Sequence, residues 1–457
     1  MKGKIVFVAI VLAVATGLSQ AWERAIDPVA AQVPATADAA QIERGAHLAA
    51  LGDCIVCHTA KGGKPFAGGL PLVTPFGTIY STNITPDADT GIGHWSLAAF
   101  TRAMRNGVSR DGHHLYPAFP YPHFTHMTDA DIAAVYAFMM SRDPVRASAP
   151  ANRLVFPLNF RPLVAGWNLL YLQRGPEPGA PINAEAEGTT DPTQTIEWQR
   201  GRYLVDGVGH CGACHTPLGP LGAEKRDQMF AGGVIDGWDA PPLTTLLHAP
   251  TPWTRAQLVA YLRTGFASQH GAAAGPMLPV THSLENAPQA DVEAMATYLM
   301  SLQQAAPVSA GASAASAGAG ANAGAGASAG ARNPAVNLAQ LAPPAQLANG
   351  ATLFNAACVS CHSVVAPMSI FGDRPSLAQG TAVNADSPRN TVRMMLDGIG
   401  WQHSEAAHFM PSFAQTFSDA QIADLANYTR ARFSAHGPWP DLDAAAVAKI
   451  RKEGVAP

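Results

Sequence analysis

Apolar residues recur at helical spacing in matched pairs of segments along this chain. The stretch Gly45-Ala46-His47-Leu48-Ala49-Ala50-Leu51 predicts a first helix, and similar stretches surround Gly201 and Gly350. A second helix follows each of these later in the chain. Thr128-Asp129-Ala130-Asp131-Ile132 leads to Val135, Tyr136 and Phe138, and Ser418-Asp419-Ala420-Gln421-Ile422 leads to Leu425 and Tyr428. The middle copy runs from Pro288-Gln289-Ala290-Asp291-Val292 to Met295 and Tyr298. Thr128 and Ser418 suit the N-cap position, and Gln421 completes a capping box. Phe138, Tyr298 and Tyr428 share one repeat position and are expected to pack the second helix against the glycine of the first. The pattern is that of a mainly α chain built from three repeated units.

Composition sets the boundaries. The 457 residues suit about three domains of ordinary size. The units are placed at 38–145, 193–304 and 341–436. Between the first two lies a connecting segment, 146–192, whose part from 174 on is rich in Gly, Pro and acidic residues. Residues 305–340 read as a flexible linker, almost wholly Ala, Gly and Ser over 305–333, and 437–457 as a polar C-terminal tail with a short helix. Residues 1–24 read as a signal peptide or N-terminal anchor. Lys2 and Lys4 precede the apolar run Ile5–Leu18, and Ser19-Gln20-Ala21 could be cleaved. That run is shorter than the roughly 20 residues a membrane span needs. Either form directs the remainder to the periplasmic side of a bacterial inner membrane. The Leu- and Trp-rich run 161–173 can dock a partner or membrane surface or pack back on the protein, and the second reading is preferred. Charged residues make up only 14% and the net charge is −4, so nothing points to nucleic acid.

All six cysteines fall in three copies of Cys-x-x-Cys-His: Cys54, Cys57 and His58; Cys211, Cys214 and His215; Cys358, Cys361 and His362. On one helical turn, positions i, i+3 and i+4 share a face. Two thiols can then alkylate the vinyl groups of one haem while the imidazole binds its iron. Zinc needs a further ligand pair, and no cysteine remains to supply it. A thioredoxin-like pair needs a βαβ context, which is missing. The expected cofactors are three covalently bound haems c, and the expected fold is three tandem class I cytochrome c domains.

Repeat register suggests the sixth iron ligands. Trp95 precedes Gly107 by twelve residues, as Trp253 precedes Gly265. Twelve residues beyond Gly265 stands Met277, and twelve beyond Gly398 stands Met410. Both methionines adjoin a proline and are assigned as distal ligands of haems two and three. In the first unit that register holds Phe119, which cannot ligate iron. His123, four residues on, is the candidate there. Met104 is expected in the core, and Met127 as a hydrophobic staple against Ile132. A His-ligated first haem would have the lowest potential and order electron flow from haem one to the others.

These residues resemble the three-haem cytochrome c subunits of membrane-bound bacterial dehydrogenases. The matching stretches include Phe66-Ala67-Gly68-Gly69, Phe230-Ala231-Gly232-Gly233, Tyr80-Ser81-Thr82-Asn83-Ile84-Thr85-Pro86-Asp87, Gly112-His113-His114-Leu115-Tyr116-Pro117-Ala118 and Gly275-Pro276-Met277. Phe119-Pro120-Tyr121-Pro122-His123-Phe124-Thr125 and the 156–170 segment look like the branch serving molybdenum hydroxylases of aldehyde, nicotinate or isoquinoline type. In the quinoprotein alcohol dehydrogenase branch a Met follows Tyr-Pro-Ala, and here Phe119 departs from it. The resemblance implies a catalytic molybdopterin partner, a [2Fe–2S] subunit, and quinone or a terminal oxidase as acceptor. The chain is then an electron-transfer subunit rather than the catalytic one, and no catalytic residue is assigned. A cytochrome subunit of quinoprotein alcohol dehydrogenase is the alternative. A peroxidase-like haem enzyme with an open first haem is the alternative of another class.

Overall fold

The computed structural model describes residues 22–30, 37–175, 195–303, 347–363, 376–402 and 407–453. Most of the expected leader, nearly all of the 174–192 linker and the Ala/Gly/Ser stretch lie outside these. The first unit contains α1 (Ala39–Leu51), α2 (Leu97–Asn106) and α3 (Asp129–Met140), followed by α4 (Leu163–Tyr171). The second contains α5 (Ile196–Arg202), α6 (Arg255–Thr264), α7 (Met277–Glu285) and α8 (Gln289–Ser301). The third contains α9 (Ala348–Ala357), α10 (Arg389–Asp397), α11 (Asp419–Phe433) and α12 (Ala444–Glu453).

Helix ends follow local chemistry. The Thr128 hydroxyl accepts from the Asp131 amide at 3.1 Å, and Ser418 and Gln421 close a reciprocal capping box. Pro288 in the middle copy provides no side-chain cap. At the other end, Gly107 and Gly265 terminate α2 and α6 in the left-handed region, with φ of 62° and 65°.

In every unit the first helix crosses a later one, α3, α8 or α11, at a glycine. A Cβ on Gly45 would strike the Ala134 carbonyl oxygen and stand 2.8 Å from the Phe138 Cβ. Gly201 meets Ala294 and Tyr298 in the same way, and Gly350 meets Asp424 and Tyr428. The repeated aromatic therefore covers the repeated glycine, as its register predicts. A polar pair fastens each crossing. Arg44 reaches Asp131 at 2.6 Å, and Arg200 grips both oxygens of Asp291 at 2.8 Å. Asn349 donates to Asp424 in the third unit.

Gly45 lies nine residues before Cys54, but Gly201 lies ten before Cys211. The extra residue is absorbed by a π-helical turn, Tyr203–Val208, at the end of α5. The first two units share one continuous apolar core, in which Leu51, Phe124, Met127 and Ile132 pack with Leu204 and Val208. Met104 belongs to this core as well. The third unit has a separate core built on Phe354, Leu396, Ile422 and Leu425. Trp439, Leu442, Val447 and Ile450 enter that core, so the stretch expected as a polar tail is packed structure. The segment after the first unit also folds back. A hairpin of β1 (Pro71–Thr74) and β2 (Gly77–Tyr80) gains β3 (Arg153–Leu154) as a third antiparallel strand.

Candidate haem-attachment sites

Each Cys-x-x-Cys-His segment forms a single helical turn. The histidine amide donates to the carbonyl of the first cysteine at 3.0 Å for His58, 3.0 Å for His215 and 2.9 Å for His362. This is the i, i+4 closure that puts both sulfurs and the ring on one side. None of the six thiols is in a disulfide. Burial pushes Cys54, Cys211 and Cys214 up to about 12 and Cys57 and Cys358 up to about 11. These five are thus held as neutral thiols, the form that adds across a vinyl group to leave a thioether.

The imidazoles are oriented by main-chain acceptors. The Nδ1 of His58 donates to the Thr82 carbonyl at 2.6 Å, and that of His215 to the Pro241 carbonyl at 2.7 Å. A carbonyl only accepts, so the proton sits on Nδ1 and the lone pair on Nε2. Burial holds both rings below the ordinary histidine value, against the opposing effect of the carbonyls. A neutral imidazole with a fixed tautomer is what a haem iron requires on its proximal side. The donor set therefore fits covalent haem.

A second repeat supports these turns, and its role appears only in the fold. In Phe66-Ala67-Gly68-Gly69 the Gly68 amide donates to the His58 carbonyl at 2.7 Å. Gly232, in the matching Phe230-Ala231-Gly232-Gly233, donates to the His215 carbonyl at 2.8 Å. Phe66 and Phe230 are both buried in left-handed conformations, with φ of 62° and 60°. The hydroxyls of Thr59 and Thr216, each directly after its motif histidine, accept from the Phe66 and Phe230 amides at 3.2 and 3.1 Å. The carbonyl acceptors Thr82 and Pro241 leave no sequence signal, because any residue supplies a carbonyl.

Met277 opens α7 and is partly buried against the shared core. The preceding Gly275 has φ 54° and lies against the Trp238 ring, so only a residue without a Cβ fits there. Met410 ends a strand, Ala407–Met410, paired with Ile399–Gln402, and is partly buried against the third core. Phe119 packs on Phe124 with ring centroids 5.6 Å apart.

His123 is buried, and its contacts lie in the second unit. Its Nδ1 meets the Asp206 carbonyl at 2.7 Å and its Nε2 meets Glu224 Oε1 at 2.6 Å. A Cβ on Gly212, between Cys211 and Cys214, would lie 3.2 Å from its Cε1. Burial opposes charge on this ring, but the hydrogen bond and charge of Glu224 outweigh it and raise the pKa above the ordinary value. Both nitrogens face acceptors, so as placed the ring has no lone pair for an iron.

The first two motifs lie close together. A Cβ on Gly52 would sit 3.4 Å from the Val208 carbonyl, and one on Gly209 3.7 Å from the Leu51 carbonyl. Asp53, buried at φ 50° just before Cys54, accepts a hydrogen bond from Ser283 on α7.

Residues 42–143 match the cytochrome c family model, and residues 345–428 match that of the cbb3-type cytochrome c oxidase subunit III. The chain is 47% identical to a nicotinate dehydrogenase subunit of Pseudomonas putida over 94% of its own length, and spans only 33% of that protein. It is 35% identical to the fructose dehydrogenase cytochrome subunit of Gluconobacter japonicus, covering 92% of this chain and 85% of that one. Against the gluconate 2-dehydrogenase cytochrome c subunit of Pantoea cypripedii it is 36% identical over 91% of each chain.

Proposed function

Because the chain belongs to the family of dehydrogenase cytochrome c subunits, we propose that it carries three covalent haems c and relays single electrons out of a periplasmic, membrane-associated dehydrogenase. The observation that carries this reading is the repeated turn with two thiols, an imidazole at i+4 and, in the first two copies, an Nδ1 tied to a carbonyl. Haem supplies reversible one-electron chemistry at iron. The residues supply attachment (the six cysteines), proximal ligation (His58, His215, His362) and distal thioethers (Met277, Met410).

His123 is given a different task from the one its position suggested. Held between Asp206 and Glu224, it clamps the first unit to the second motif, in place of ligating haem one. With Phe119 at the methionine register, the first haem is the one open to an added ligand. This favours a second reading in which haem one binds small molecules, and carbon monoxide added to the reduced protein tests it. Binding at one haem of three is expected.

The proposed electron source is a molybdopterin hydroxylase with a [2Fe–2S] subunit, and the acceptor is quinone or a terminal oxidase. Identity to the nicotinate dehydrogenase subunit, well above that to the sugar-acid and sugar dehydrogenase subunits, supports this partner class. Metal analysis of the gently solubilised complex tests it: molybdenum with excess iron is expected, whereas calcium with a bound quinone cofactor would favour the alcohol dehydrogenase alternative.

A further inference from the structure

The segment that folds back after the first unit carries apolar side chains that the fold does not use. α4 turns Val164, Ala165 and Asn168 inward, with Asn168 Oδ1 accepting from the Tyr121 hydroxyl at 2.6 Å. Its other face is bare: Leu169 is 84% and Leu170 69% exposed. Phe156, at 86%, and Phe160 stand out from the turn just before it. The turn is rigidly joined to the helix. Leu158 donates to Val155, Phe160 to Pro157 and Leu163 to Phe160, at 2.8, 2.9 and 3.0 Å. The helix is pinned in turn by Trp167 Nε1, which donates to the Leu221 carbonyl at 3.0 Å, and by Arg226, which donates to the Tyr171 carbonyl. This is a held apolar surface, not a frayed end.

Charge identifies what it fits. Residues 151–175 contain Arg153, Arg161 and Arg174 and no acidic residue, in a chain whose net charge is −4. Arg153 and Arg174 are exposed at the two ends of the segment. Bulky apolar side chains between exposed arginines, with Trp167 and Tyr171 on the same helix, match the interface of an anionic bilayer. There the apolar groups enter the acyl boundary while guanidinium groups reach phosphate. Among the described residues no helix is long and apolar enough to cross a membrane, so a surface of this kind would lie along the bilayer rather than span it.

We propose that the Val155–Leu170 surface is a peripheral membrane-contact site for anionic phospholipid, seating the first unit on the bilayer. The inference rests on the membrane-side placement above but not on haem number, which pigment analysis reads separately. Hydrogen exchange on the haem-loaded full chain bound to phosphatidylglycerol nanodiscs tests it independently of any N-terminal anchor. Exchange in peptides covering 155–171 is expected to slow at least about tenfold on the disc. The double variant Leu169→Glu, Leu170→Glu should lose that protection while keeping its visible spectrum. Unchanged exchange on the disc overturns the proposal. So does slow exchange in the lipid-free protein that the double variant abolishes, which would mean that the chain covers its own patch. Protection appearing only when the catalytic subunit is added would make the surface a subunit contact and overturn it too.

Discussion

The helix crossing at Gly45 offers the sharpest test of the packing argument. Replacing Gly45 with Ala puts a methyl carbon into the Ala134 carbonyl oxygen and within 2.8 Å of the Phe138 Cβ. Ordinary contact begins at 3.4 Å, so α1 and α3 must part by about 1 Å. Separation also stretches the 2.6 Å Arg44–Asp131 pair, whose carboxylate is wholly buried. Overpacking a dense core costs about 1–3 kcal/mol, and here the obstacle is main chain, which cannot swing aside as a side chain would. Against this, Ala favours a helix over Gly by about 1 kcal/mol. With a main-chain obstacle the cost falls at the top of that range, so the net expectation is a loss of about 2 kcal/mol, or a fall of about 1 M in the urea midpoint at a typical slope. Gly166 is the internal control, since it lies inside α4 with nothing within 4 Å of its Cβ position. Gly166→Ala should raise stability by about 0.5–1 kcal/mol through propensity alone. Urea titrations of the two haem-loaded variants, followed by far-UV circular dichroism, decide the matter. If Gly45→Ala matches Gly166→Ala in sign, the close-crossing argument is wrong.

Other outcomes are as direct. Replacing Cys211 and Cys214 with Ala should lower covalent haem from three to two per chain by pyridine haemochrome assay, with His58 and His362 ligation intact. Met277→Ala and Met410→Ala should each abolish one sulfur-to-iron charge-transfer band and lower one midpoint potential in a redox titration. His123→Ala should leave the low-spin signals of the oxidised protein unchanged while loosening the first unit from the second in hydrogen exchange; a new high-spin signal would return His123 to the iron. Burial pushes the Asp53 carboxyl up to about 7 from its ordinary value of 3.8, with the Ser283 hydrogen bond opposing. The folded state then holds the proton more tightly than the unfolded state. Stability is therefore highest below pH 3.8 for this group and declines as pH rises to about 7, by a few kcal/mol at most. Asp53→Asn, which keeps a residue tolerant of the left-handed backbone, should flatten that decline in denaturation midpoints measured from about pH 4 to about pH 7.

What the chain reveals without coordinates depends on how each contact is encoded. The glycine–aromatic crossings are visible because Gly45, Gly201 and Gly350 recur at nearly fixed distance from a motif, and a position that tolerates only hydrogen leaves a compositional mark. The caps at Thr128 and Ser418 are legible because the position calls for a side-chain oxygen that accepts from the first-turn amide. The proximal turns follow from residue spacing alone. Thr82 and Pro241 are invisible because the atoms that matter are carbonyls. The contacts of His123 are not legible, because its partners Asp206 and Glu224 lie 83 and 101 residues away. The 161–173 run allowed two readings; one face of the helix packs inward, as the preferred reading expects, while Leu169 and Leu170 stay exposed. The stretch from 437 is rich enough in polar residues to look like a tail, yet Trp439, Leu442, Val447 and Ile450 suffice to anchor it.

The two kinds of interface between units carry a consequence for electron transfer. Units one and two share an apolar core, and their motifs approach through Gly52, Asp53 and Gly209. Separating them would expose Leu51, Phe124, Leu204 and Val208 to water, so their haem sites are held at fixed separation. Unit three meets unit two through polar contacts. Arg389 reaches Asp239 at 3.1 Å, Asn390 exchanges hydrogen bonds with the Asp239 main chain at 2.8 and 2.9 Å, and Arg393 donates to the Gly237 carbonyl at 3.3 Å. Such contacts can be traded for water at little cost, unlike a buried core. Unit three keeps a core of its own. The proposed relay therefore has one rigid inter-unit interface, between units one and two, and one polar interface, between units two and three.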